Sequence, residues 1–181
     1  PIVLSELVEK AREQADHPWF DHPQIPVLIA IGRLAAQKDF PTLLRAISII
    51  KKTRIVRLLI LGDGDDERLL KTIIDEYHLS QYVQLLGFIA NPYAYLSRAD
   101  LFVLSSRWEG FPNTLLEALA CGVNVVSTNC PSGPQEMLEN GRYGRLVPVG
   151  DPETLAAEIV AALDNRWNSE ILKGRAADFS I

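Results

Sequence analysis

Leu101-Phe102-Val103-Leu104 leads directly into Ser105-Ser106-Arg107-Trp108-Glu109-Gly110-Phe111-Pro112-Asn113-Thr114-Leu115-Leu116-Glu117-Ala118-Leu119. The four leading residues form an unbroken apolar run, as a strand covered on both faces requires. Gly110-Phe111-Pro112 ends that strand in a turn, and Asn113 stands where a cap belongs, opening a short helix to about Cys121. One carboxylate, Glu109, falls in the turn. A second, Glu117, falls about one turn into a helix that is otherwise apolar. Burying a carboxylate is costly unless it is paired or hydrogen-bonded. Two of them flanking a helix N-terminus at the end of a buried strand predict a polar ligand.

Outward from this stretch the same unit recurs. Val27 to Ile31 reads as a strand before Gly32-Arg33-Leu34, and a helix follows from Thr42 to about Lys52 with Pro41 near its start. Arg57 to Leu61 is a strand ending in Gly62-Asp63-Gly64, followed by a helix from Glu67 to His78. Val83 to Leu86 is a strand ending at Gly87, followed by a helix from Pro92 to about Arg98. Beyond the opening stretch come a strand from Val123 to Ser127, a short helix from about Gly133 to Glu139, and a short strand from Arg145 to Val147. Asp151 then introduces a helix from Pro152 to Leu163. Continuous apolar strands alternating with helices predict an α/β fold, a Rossmann-like doubly wound parallel sheet. Upstream, Leu4, Leu7, Val8 and Ala11 share one face of a helix from Leu4 to about Gln14. Asp16 to Pro23 carries two prolines and reads as a linker, with Trp19 and Phe20 packing on the side of the domain. The expected organisation is an N-terminal helix and linker over 1–22 and one ligand-binding domain over 23–181.

The composition bounds the class. Of 181 residues, 48% are hydrophobic and 23% charged, which is globular and large enough for a proper core. With 23 acidic against 18 basic residues the net charge is -5, so no basic footprint for nucleic acid is present. No apolar run reaches spanning length and no charged-then-apolar leader opens the chain, so the expectation is a soluble, cytoplasmic domain. Cys121 and Cys130 are too few for a disulfide framework, and no histidine lies near either in sequence. His17, His22 and His78 read as surface residues, and zinc-ligand spacing is absent.

In doubly wound sheets ligands lie outside the carboxyl ends of the strands. Arg33 directly follows the first strand and Lys38 comes five residues later. Both can overhang the crevice of the Asn113 helix, whose unpaired amides and positive dipole end attract an anion. A diphosphate held by Arg33, Lys38 and the amides of Asn113, Thr114 and Leu115 is coherent, with the two acids accepting hydrogen bonds from sugar hydroxyls. Each residue also has a plainer reading. Arg33 and Lys38 are then solvated loop cations, Glu117 the wet side of an amphipathic helix, and Glu109 an exposed turn residue. The residues alone leave both readings open.

The run Glu109-Gly110-Phe111-Pro112-Asn113-Thr114-Leu115-Leu116-Glu117-Ala118 resembles the E-x7-E motif of the retaining, GT-B-fold glycosyltransferases of the large family 4. Gly32-Arg33-Leu34 through Lys38, Leu61-Gly62-Asp63-Gly64, Gly87-Phe88-Ile89 and Ser132-Gly133-Pro134-x-Glu136 are similar to that family in the same order. The resemblance runs from about Val27 to Val149 and departs at none of these positions. It implies one half of a GT-B fold, the C-terminal, donor-binding half, with the acceptor-binding N-terminal domain missing. Residues 1–22 would connect to that domain, and the helix that crosses back to it would be cut off near Phe179. The implied function is binding of a nucleotide-diphosphate sugar, a UDP-sugar by family frequency, for transfer of a hexose to a glycan, lipid or other acceptor with retention. Arg33 and Lys38 would bind the diphosphate as it leaves, Glu109 the donor-sugar hydroxyls and Glu117 the ribose. The amides of Gly110, Phe111, Asn113, Thr114 and Leu115, around Pro112, would bind sugar and phosphates. Gly32 and Gly87 would let backbone approach, and Phe88 and Ile89 would border the base. No metal or other cofactor is implied, and Asp63-Gly64-Asp65 reads as a turn. The resemblance also allows a peripheral association of the full-length enzyme with the membrane's cytoplasmic face.

The alternatives are a nucleotide-sugar-binding module without activity, or a GT-B-like sugar-nucleotide epimerase or phosphorylase. A dehydrogenase-type dinucleotide domain would need G-x-G-x-x-G after the first strand, and Gly32-Arg33-Leu34 does not supply it. Gly62-Asp63-Gly64 begins the pattern, but position 67 is Glu. A P-loop is absent, and a receiver-type signalling domain would place acids where Arg33 stands.

Overall fold

The computed structural model describes residues 3–180; residues 1, 2 and 181, which the expected domain bounds include, lie outside the described residues. The chain runs α1 (Leu4–Ala11), β1 (Val27–Ile31), α2 (Phe40–Ile50), β2 (Arg57–Leu61), α3 (Glu67–Glu76), β3 (Val83–Gly87) and α4 (Pro92–Leu96). It continues through β4 (Leu101–Leu104), α5 (Asn113–Ala120), β5 (Val125–Thr128), α6 (Pro134–Met137), β6 (Arg145–Val147), α7 (Pro152–Asp164) and α8 (Ser169–Ala177).

The six strands form one parallel sheet in the order β3-β2-β1-β4-β5-β6. Because side chains alternate across a strand, β1 feeds two cores at once. Leu28 and Ala30 join Leu43, Ile60, Val103 and Leu155 beneath α2, α3 and α7. Val27 and Ile29 join Leu59, Phe102, Leu115 and Leu172 beneath α1, α4, α5 and α8. This is the expected doubly wound α/β sheet. Its strand order reverses between β1 and β4, whose register pairs Leu28 with Leu101 and Ile29 with Phe102. At such a reversal the loops after the two strands diverge and open a crevice. The loops leaving β1 and β4 carry Arg33, Lys38 and Glu109.

Some boundaries differ from the sequence expectation, each for a local reason. Strand β5 begins at Val125 rather than Val123 because Val123 finishes the preceding helix. Its N–H donates to the Ala118 carbonyl and that of Gly122 to Leu119, closing α5 with a left-handed glycine at φ +73°. A Cβ on Gly122 would also fall 2.1 Å from Ser169 Oγ, so this glycine lets α8 dock on α5. No hydrophobic periodicity in the sequence marks helix α8. Asn168 caps it by accepting from the Glu170 amide, and its buried contribution is Leu172 and Ala176 alone. Helix α6 stops at Met137, before left-handed Glu139 and Asn140. The segment after α1 is docked: Trp19 is buried, with the Arg57 guanidinium 5.2 Å from its ring. His17, expected at the surface, is half-buried and shares a 2.8 Å hydrogen bond with the Gln84 side chain.

Candidate functional site

The β1 and β4 loops are stitched together. Ser105 Oγ donates to the Lys38 carbonyl at 2.7 Å, the Arg107 amide to the Gln37 carbonyl at 2.8 Å, and Gln37 Nε2 to the Trp108 carbonyl at 3.0 Å. Across this seam Lys38 Nζ lies 2.6 Å from Glu109 Oε1, with side-chain exposures of 15% and 7%. Ser106 Oγ donates to the same carboxylate oxygen at 2.6 Å, and Thr128 Oγ1 at the end of β5 holds the Ser106 carbonyl at 2.7 Å. Glu109 is therefore a paired and largely buried acid, not an exposed turn residue. Gly32 makes room for the arrangement, since a Cβ there would fall 2.7 Å from Lys38 Cε.

Asn113 does not cap α5 as expected. It is the first helical residue, after Pro112, and its side chain makes no capping bond. Its amide donates to the Phe111 carbonyl at 2.8 Å and that of Leu115 to Pro112 at 3.1 Å. The tight Gly-Phe-Pro turn thus consumes two of the three helix-end donors. Among the described residues the amides of Gly110, Phe111 and Thr114 make no intramolecular hydrogen bond, so these are the donors free for an anion.

Further along α5, burial raises the Glu117 pKa, opposed in part by a hydrogen bond at 3.2 Å from the Tyr93 hydroxyl of α4. Burial and the neighbouring Glu117 charge push the Tyr93 phenol up to about 12, so it stays protonated and donates. Two cavities share Tyr93 as a lining residue. One, of about 460 Å³, is lined by Gly32, Arg33, Asp63, Phe88, Ile89 and Tyr93 among others. The other, of about 290 Å³, is lined by Glu6, Lys10, Tyr93, Asn113 and Glu117 with Val3 and Leu7. Arg33 is exposed and its side chain makes no hydrogen bond or ion pair among the described residues, and Phe88 is 74% exposed at the rim. Gly87, with φ +72°, turns the chain between β3 and this rim. A larger concavity, about 700 Å³, lies beside the loop after β5 around Cys130, Ser132, Gly133 and Glu136, away from Arg33 and Glu117.

The structure thus brings Gly32, Lys38 and Glu109 into one cluster, Arg33, Phe88 and Ile89 around one cavity, and Asn113 and Glu117 around the next. Sequence reasoning missed Gln37, Ser105, Ser106, Thr128 and Tyr93. The Ser105-Ser106 pair directly after a buried strand was a usable signal; Tyr93 gave none. Asp63-Gly64-Asp65 is a turn fastened to Leu34, which donates to the Asp63 carbonyl at 2.8 Å and accepts from the Asp66 amide at 2.9 Å. Among the described residues no group of three or more His, Cys, Asp or Glu is placed to hold a metal ion, and no helix is long and apolar enough to cross a membrane.

Residues 25–165 match the family model described as glycosyl transferases group 1. Over 113 residues the chain is 42% identical to an uncharacterized glycosyltransferase of Methanocaldococcus jannaschii, covering 62% of this chain and 28% of that protein. Over 149 residues it is 34% identical to the N-acetylgalactosamine-N,N'-diacetylbacillosaminyl-diphospho-undecaprenol 4-alpha-N-acetylgalactosaminyltransferase of Campylobacter jejuni, covering 82% and 40%. Among solved structures it is similar to the pneumococcal O-GlcNAc transferase GtfA in complex with UDP and GlcNAc. The TM-score is 0.77 at 27% identity, over 87% of this chain and 34% of that one. The chain spans well under half the length of these relatives.

Proposed function

The chain belongs to the group 1 glycosyl transferases, and from that premise we propose that it is the donor-binding half of a retaining, metal-independent enzyme acting on a nucleotide-diphosphate sugar. The observation that carries the reading is the Lys38–Glu109 pair, 2.6 Å apart beside the free amides of Gly110, Phe111 and Thr114. A partly buried cation and an anion-binding turn side by side suit a diphosphate, and the adjoining carboxylate suits sugar hydroxyls. Arg33 and Lys38 neutralise the departing diphosphate, supplying fixed positive charge where negative charge develops. Glu117 accepts from the ribose hydroxyls. The base rests in the cavity of Phe88 and Ile89, where the exposed Phe88 ring offers a stacking face.

The proposed division is a linker segment over 1–22 and the donor domain over 23–181, the acceptor being bound by a domain outside this chain. The partial span of the relatives supports that division. UDP is the favoured nucleotide because the similar pneumococcal transferase was solved with UDP. Calorimetric titration of the chain with UDP, GDP, ADP and their sugar conjugates tests the reading. Binding of one series at millimolar affinity or better is expected, with the sugar conjugate contacting Glu109; failure of all three series sinks it.

A further inference from the structure

Tyr93 is the residue that lines both cavities among the described residues: the one that holds Phe88 and Ile89 and the one that holds Glu117. Its hydroxyl is also the hydrogen-bond donor to Glu117, reaching Oε1 at 3.2 Å from α4. That bond engages one oxygen of the carboxylate and leaves Oε2 without a side-chain partner among the described residues. The bond narrows the orientations open to the carboxylate and leaves Oε2 as the oxygen available to a ligand.

We infer that Tyr93 is a positioning residue for nucleoside recognition: its hydroxyl orients Glu117 toward the ribose, so that selection of a ribonucleotide over a 2′-deoxyribonucleotide passes through it. The inference rests on the donor-site reading above. Its physical basis is geometric. Without the Tyr93 bond no other side chain among the described residues holds the Glu117 carboxylate, in a cavity also lined by Glu6 and Lys10 of α1. Tyr93 also forms part of the wall between base and ribose, so one side chain registers the two halves of the nucleoside against each other.

The test is a mutant cycle read by calorimetry on the chain as it stands. The wild type is titrated with UDP, GDP and ADP, and whichever binds is paired with its 2′-deoxy analogue. Tyr93→Phe, which removes one oxygen and keeps the ring, is expected to weaken the ribonucleotide about tenfold, the scale of one hydrogen bond to a charged group. It should weaken the 2′-deoxy analogue far less, compressing the ratio between them. In a Glu117→Gln background the same change should have no further effect, because the two residues act as a unit. Equal weakening of both nucleotides, persisting in the Glu117→Gln background, would reduce Tyr93 to a packing role and overturn the inference. An unchanged ratio, or tighter binding by Tyr93→Phe, overturns it too, the latter by showing that the phenol competes with the ribose. These outcomes leave the donor site standing. If no nucleoside diphosphate binds the wild type, the donor-site reading falls and this inference with it.

Discussion

Lys38 and Glu109 stand 71 positions apart in the chain and 2.6 Å apart in the fold, their side chains 15% and 7% exposed. A pair so enclosed is held by its surroundings as much as by its charges. Ser106 donates to the carboxylate, and the backbone on either side is sewn between β1 and β4. Removing one partner leaves the other enclosed without its counter-charge. Lys38→Met should therefore destabilise the chain by roughly 3 kcal/mol, while Lys38→Met with Glu109→Gln should recover most of that loss. Urea unfolding of the single and double variants checks this. A double variant no better than the single would show that the two sites do not couple.

Glu109 and Glu117 should separate by ligand. Glu109→Ala should spare UDP while weakening a UDP-sugar, because its oxygens sit at the loop seam and not in the cavities beside Tyr93. Glu117→Ala should weaken both by on the order of ten- to a hundredfold, as loss of charge-assisted hydrogen bonds does. Calorimetry with the two ligands distinguishes them, and equal losses for both ligands in Glu109→Ala would refute the division.

Glu117 also carries a conflict between stability and binding. Burial raises its pKa from 4.5, so the folded state holds that proton more tightly than the unfolded chain. The stability due to the protonated acid is present below the unfolded value and is lost as pH rises through the raised one. Glu117→Gln, neutral at every pH, should melt higher than the wild type at neutral pH and lose that advantage near pH 4.5. Thermal melts across that window check it. The same variant should bind nucleotide more weakly, the signature of a group kept for its ligand rather than for the fold.

The centre of the sheet is legible in the sequence because β1, β2 and β4 are apolar runs closed by a glycine or a polar turn, the pattern of strands covered on both faces. The crevice follows from strand order, and with it Arg33 and Glu117. Two features are not legible. Asn113 reads as a cap because its residue type fits, but Pro112 sets the chain into a turn tight enough to bring the Asn113 amide onto the Phe111 carbonyl. Helix α8 buries only Leu172 and Ala176, too little periodicity to mark a helix, and its docking depends on Gly122, far away in sequence. Propensity is local, whereas the docking of α8 is decided by tertiary packing.

Gly122→Ala tests that docking. The substitution combines a left-handed φ of +73° with a Cβ 2.1 Å from Ser169 Oγ and 2.9 Å from Lys173 Cε. The loss should exceed about 1 kcal/mol, more than the ordinary gain from replacing a glycine. Adding Ser169→Ala should return part of it by relieving the nearer contact while leaving the backbone strain. Denaturant midpoints of the two variants measure both portions, and a neutral Gly122→Ala would show that α8 is not held by this approach.

Arg33 gives the cleanest separation of binding from folding. It is exposed, lines the cavity with Phe88 and Ile89, and its side chain makes no hydrogen bond or ion pair among the described residues. With no partner to strand, Arg33→Ala should leave the melting temperature unchanged, as surface substitutions away from structural features do. A guanidinium facing a diphosphate is different. Its loss should weaken UDP roughly tenfold or more while leaving uridine, which has no phosphate, unaffected. The residual UDP binding should also depend less steeply on salt, since one cation no longer contributes to attraction of the anion. Titrations of UDP and uridine at two ionic strengths decide the matter. If Arg33→Ala weakens uridine as much as UDP, then Arg33 shapes the base cavity and the diphosphate rests on Lys38 and the Gly110, Phe111 and Thr114 amides alone.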